Sequence, residues 1–160
     1  MSSIMKEMET IASMLSGKQK EVYEEMIRDA KPVKVVPLKD VFTEREIEFI
    51  KKVIKPQRHE CYKNSFQLTT LFPDRVEYCE GKTTVKQFIS IEHAWNKVGD
   101  KYVDITMELV LGYDMSCLSE DYVSFGEWNA VDLLELSADM EFYGGVYEHS
   151  KSKKYDKKGI

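Results

Sequence analysis

Apolar residues recur at three- and four-residue steps through Ile4, Met8, Ile11, Met14 and Leu15, and again through Val22, Met26 and Ile27. That spacing predicts two helices within residues 3–30, separated at Gly17. Pro32 and Pro37 bracket the apolar residues 33–36, which read as a short extended piece suited to a sheet edge. Thr43 and Glu46 have the form of a capping box opening a helix with Ile47, Ile50 and Val53 on one face, and Pro56 stops it. Tyr62, Phe66, Leu68 and Leu71 form a helical stripe that starts at Cys61 and ends before Pro73.

From residue 75 the pattern changes to strands at 75–79, 87–96 and 101–106. In the second of these, Phe88, Ser90, Glu92 and Ala94 share one side, and Ile89, Ile91, His93 and Trp95 the other. A turn at Val98–Asp100 makes the last two strands a hairpin. Residues 107–150 lack a clear period, apart from a helix around 131–136 and a break at Gly144 and Gly145. The fold class expected is α+β: N-terminal helices and a Cys61-bearing helix packed on an antiparallel sheet. Residues 1–150 read as one domain, with the site motifs in 57–108 and a helical elaboration in 3–55.

Charge changes this picture only at the C-terminus. The chain has net charge -5, but residues 151–160 hold five Lys against one Asp, which reads as a basic, disordered tail behind a body of charge -9. An acidic body argues against a nucleic-acid partner. Residues 1–9 mix charges into an apolar stretch, unlike a secretory signal, and no window approaches a membrane span. The expectation is a soluble, cytoplasmic protein. Eight Met, five of them within residues 1–26, give the N-terminal helices an adaptable surface for a partner, although ordinary helix packing explains them as well.

Three cysteines without CxxC spacing fit neither a disulfide framework nor a zinc site, so no metal or cofactor is expected. Cys79 and Cys117 read as small buried hydrophobes, and His59 and His149 as surface residues. Cys61 differs, because peptide dipoles at a helix start favour a thiolate. A hairpin symmetric about Val98 and Gly99 sets His93 opposite Asp104, so the carboxylate can hold the imidazole. Thiol, imidazole and carboxylate are the groups needed for acyl transfer through a thioester. The Cys61 N–H and the Gln57 side chain are candidate oxyanion donors, with His59 competing for the second role. Asn64 either faces the centre or caps local backbone. Glu80, taken as the end of a strand beside a turn, positions substrate or is solvated, and Trp95 lines the site beside His93.

The segments 61–65 (Cys-Tyr-Lys-Asn-Ser), 78–81 (Tyr-Cys-Glu-Gly), 93–96 (His-Ala-Trp-Asn) and 102–106 (Tyr-Val-Asp-Ile-Thr) resemble the transglutaminase-like branch of the papain-like cysteine peptidase superfamily. They are similar above all to small bacterial and phage members. The resemblance covers roughly residues 57–108. It implies Cys61 as nucleophile, His93 as general base and Asp104 as its orienting group. That superfamily holds transglutaminases, peptidases, deamidases and peptide N-glycanases, and also inactive relatives. The implied function is cysteine-dependent acyl transfer on an amide or peptide bond of a protein or peptide substrate. The alternative is an inactive binding module, such as a phage protein engaging a host factor in the host cytoplasm through its N-terminal helices or its C-terminal region. The residues before 57 and after 110 match nothing in the family pattern, so specificity is expected to come from them.

Overall fold

A computed structural model describes residues 2–87, 89–118 and 120–158, the side chains of 154–158 excepted. Helix α1 (Ser3–Met14) starts where the Ser2 hydroxyl accepts from the Met5 N–H, and it buries Ile4, Met8 and Ala12. Met14 stays exposed. Leu15 and Ser16 link α1 to α2 (Gly17–Asp29), which opens at Gly17 with φ +61°. Strand β1 (Lys31–Val33) follows, then a 3₁₀ turn at Leu38–Asp40. Helix α3 (Glu44–Ile54) has the complete Thr43–Glu46 capping box. Its apolar side is Ile47, Ile50 and Ile54, while Val53 is half-exposed. Helix α4 (Cys61–Leu71) begins at the cysteine.

Among the described residues the strands form one curled antiparallel sheet in the order β1–β5–β2–β3–β4. Strand β2 (Val76–Val85) continues through Glu80 and Gly81, so the expected strand end and turn at that point are not formed. It pairs along its length with β3 (Ile89–Val98), Gly81 lying opposite His93. Phe88 lies outside the described residues. Strand β4 (Lys101–Val103) is shorter than expected, because the chain turns after Asp104 into a single π-helical turn, Thr106–Val110. Strand β5 (Tyr122–Trp128) was not expected at all, and it pairs with both β1 and β2.

The curl follows from the segment 31–36. Lys31–Val33 pair with β5 at one edge of the sheet, and Val35 bridges Tyr102 of β4 at the other. A few residues span only about 10 Å. The two edges must therefore approach each other, and the sheet closes towards a barrel.

Helix α4 packs on β2 and β3, with Leu68 against Val76 and Val98. The Asn96 amide fastens it, donating to Ser65 O at 2.9 Å, Thr69 Oγ1 at 3.1 Å and Glu77 O at 3.2 Å. Helix α5 (Ala130–Ser137) covers Tyr78 and Ala94 together with the start of α6 (Val146–Lys158). The expected disordered tail is thus corrected up to residue 158. Lys151 pairs with Asp29 at 2.7 Å and Glu25 at 3.1 Å, tying the basic segment to two carboxylates of α2. Gly159 and Ile160 lie outside the described residues.

Candidate functional site

Cys61 is the first residue of α4, so its N–H has no acceptor within the helix. His93 and Asp104 come from β3 and from the residue after β4, and they are 3% and 1% exposed. Their contact is direct: His93 Nε2 and Asp104 Oδ2 lie 2.7 Å apart. The hairpin register behind it differs from expectation. Val98 pairs with Lys101 and Asn96 with Val103, so the turn is Gly99–Asp100 and the ladder points Asp104 at Trp95 rather than at His93. The two-residue offset preserves parity, so the carboxylate stays on the imidazole's face and reaches it diagonally.

The carboxylate has two further partners. The Tyr122 hydroxyl donates to Oδ2 at 2.7 Å, and the Met107 N–H of the π-helical turn donates to Oδ1 at 3.0 Å. Burial and the neighbouring Asp104 push the Tyr122 hydroxyl well above its ordinary value, so it remains a donor. Burial would lower the His93 pKa, but the charge and hydrogen bond of Asp104, with Cys61 acting in the same sense, raise it to about 10. At neutral pH the ring therefore carries its second proton. With Nε2 held by Asp104, Nδ1 is the nitrogen left for the Cys61 thiol.

A cleft of about 330 Å³ opens on this centre, lined by Arg58, His59, Cys61, His93, Thr106 and Glu92, and by the apolar Val85, Ile91, Met107, Leu111 and Tyr113. His59, at φ +64°, sits in this lining, whereas the exposed Gln57 does not. Of the two candidates for the second oxyanion donor, the fold brings His59 to the cleft. Asn64 is a buried clamp: it accepts from Gln57 N–H, and its amide donates to Gln57 O at 2.9 Å and Thr106 Oγ1 at 3.0 Å. Both its N–H groups are used, so it sets the approach to Cys61 and offers nothing to a substrate.

Glu80 is also structural. It accepts from the Tyr78 hydroxyl and from the backbone N–H groups of Val146 (3.1 Å) and Tyr147 (2.8 Å), holding the start of α6. Burial raises its pKa, against the pull of those three hydrogen bonds. Trp95 is fully buried behind the centre, stacked on His93 at 6.1 Å and edge-on to Tyr122 at 5.1 Å, and does not line the cleft. Cys79 is buried, and burial pushes its thiol up; Cys117 is exposed, contrary to expectation. His149 pairs with Asp139 at 2.9 Å. Among the described residues no group of three or more His, Cys, Asp and Glu is placed to hold a metal, and no helix is long and apolar enough to cross a membrane.

Tyr122 and Asn96 are the residues that sequence reasoning missed. The aromatic and β-branched run Tyr122–Phe125 was the available signal for the first. Tyr122→Phe should keep the Trp95 packing and lose one hydrogen bond to a carboxylate. A loss of about 1.5–3 kcal/mol in urea unfolding is expected. A loss below about 0.5 kcal/mol would show that this bond adds little beyond what water supplies.

Comparison with protein-family models, with curated proteins and with solved structures found no match for this chain.

Proposed function

We propose that the chain is a cysteine-dependent acyl-transfer enzyme acting on an amide or peptide bond. The observation that carries this reading is the buried 2.7 Å His93–Asp104 contact, with Cys61 interacting with the same imidazole and the cleft open to both. In the reaction the Cys61 thiolate attacks the amide carbonyl carbon. The oxyanion forms beside the Cys61 N–H, with His59 as a second donor. His93 gives the proton on Nδ1 to the leaving nitrogen as the C–N bond breaks, leaving a thioester. Water or an amine then attacks, its proton passes to His93, and the thiolate is released. Asp104 fixes the ring and balances its charge.

Iodoacetamide alkylation at pH 6–7, followed cysteine by cysteine, tests this. Cys61 should react roughly tenfold or more faster than exposed Cys117, because a nucleophile placed against its base is activated, while Cys79 stays unlabelled in the folded protein. His93→Ala should remove the advantage. Equal slow labelling, or no effect of His93→Ala, would sink the enzyme reading and leave the binding module. Incorporation of a supplied amine acceptor separates transfer from hydrolysis.

A further inference from the structure

We infer that the cleft beside Cys61 is a specificity pocket for one apolar side chain, branched aliphatic or aromatic, on the acyl donor. This rests on the reading of Cys61 as nucleophile. Val85 at the end of β2, Ile91 on β3, Met107 in the π-helical turn, and Leu111 and Tyr113 just after it converge on the cavity that holds Cys61 and His93. Ile91, Leu111 and Tyr113 are 38%, 40% and 38% exposed. Scattered apolar residues on a convex surface mean little, but three of them facing one concavity next to a thiol form a place from which a ligand removes water. At about 330 Å³ the cavity is at the small end of ligand sites, the right size for one side chain with its carbonyl.

The pocket is also fastened. Glu120, at the far end of the loop that carries Leu111 and Tyr113, accepts from the Thr84 hydroxyl and from the Gln87 N–H at 3.1 Å, tying that loop to the β2–β3 hairpin. Glu120 itself lines the cleft, but its carboxylate is already hydrogen-bonded to Thr84 and Gln87 and so is held at the rim. Arg58 and Glu92 also line the cleft, but both are exposed residues, where ion pairing with a substrate is screened by water. Burial of apolar surface is the stronger source of selectivity here. The pocket draws Leu111 and Tyr113 from outside the motif-bearing part of the chain, so two proteins sharing the motifs need not share the preference.

The test uses the full chain and tripeptidyl chloromethyl ketones, in which the Cys61 thiolate displaces chloride to form a thioether. One series varies the residue that bears the ketone through Leu, Phe, Lys and Asp; a second varies the residue before it. In one of the two series Leu or Phe should react roughly 10- to 100-fold faster than Lys and Asp. Ile91→Asp and, on the loop, Leu111→Asp should each shrink or reverse the Leu-to-Lys ratio. That ratio is taken within one protein, so any change in thiol reactivity cancels. Rates for Lys or Asp equal to or above those for Leu and Phe in both series, with iodoacetamide still singling out Cys61, would overturn the pocket and leave the nucleophile standing. If iodoacetamide does not single out Cys61, the catalytic reading falls and the pocket with it.

Discussion

Asp104→Ala should destabilise the fold by about 3–5 kcal/mol, because breaking a buried charge pair strands its partner. The Asp104 carboxylate receives His93, the Tyr122 hydroxyl and the Met107 N–H at once, and all three lose their acceptor together. The contrast is with Lys51–Glu48, a 3.1 Å pair on the surface of α3 with side chains 49% and 72% exposed. Breaking that pair should cost no more than about 0.5 kcal/mol. Urea unfolding at constant m-value measures both. Should the two variants prove equally stable, the buried network does not hold the site together. Asp104→Asn keeps the volume but removes the negative charge at the ring; in Ser-His-Asp triads the analogous change lowers turnover by about 10⁴-fold. For this chain the matching expectation is slower inactivation by whichever chloromethyl ketone reacts fastest, since that reagent alkylates Cys61 once and is not turned over.

The same pair makes stability depend on pH, and the sign is fixed. In the unfolded chain the His93 ring loses its proton near 6.5; in the folded chain it keeps it to about 10. The folded state therefore binds the extra proton between these values, and raising pH favours unfolding. The His93 contribution is complete below about 6.5 and is lost progressively up to about 10. In Asp104→Asn that part of the slope should vanish. A wild-type profile without a decline between pH 7 and 10 that Asp104→Asn removes would contradict the raised pKa.

The approach of His93 to Asp104 was legible because side-chain parity survives an error in register. Alternation along Ile89–Trp95 fixes which side His93 takes, and a two-residue shift of the turn leaves that side unchanged. The Cys61 helix start was legible from its apolar stripe and the proline after it. Strand β5 was not, since Tyr122, Val123, Ser124 and Phe125 are all buried, so no alternation of apolar and polar residues marks the strand. Missing β5 meant missing Tyr122. The basic C-terminal segment reads as solvated from its charge alone. Its anchors, Glu80 on the α6 start and the acidic residues of α2, are distant in sequence and met only through the fold.

Gly81→Ala should be the most damaging single-methyl change in the sheet. A Cβ there would lie 1.9 Å from the Val123 carbonyl oxygen and 2.8 Å from the Trp95 ring. The first contact is with backbone, so no rotamer change relieves it, and β5 itself must move. The sheet has already spent its local slack at this point, since the β2–β5 register shifts between Glu80 and Gly81. At Gly126 the nearest atom, 2.5 Å away, belongs to the Trp128 ring, which can turn; at Gly99, in its turn at φ +65°, nothing lies within 4 Å. The expected order of damage is thus Gly81→Ala, then Gly126→Ala, then Gly99→Ala, the last costing about 1 kcal/mol for its left-handed backbone. Overpacking of a well-filled core costs about 1–3 kcal/mol and occasionally more, and a backbone clash puts Gly81→Ala at or above the top of that range. Because Tyr122 adjoins Val123, displacing β5 should also pull its hydroxyl from Asp104 and slow Cys61 alkylation in whatever fraction remains folded. If Gly81→Ala matched Gly99→Ala in urea midpoint, β5 could not lie against β2 as described. Gly81 then would have no role in the site, whereas here it admits the strand that carries Tyr122, a partner of the carboxylate.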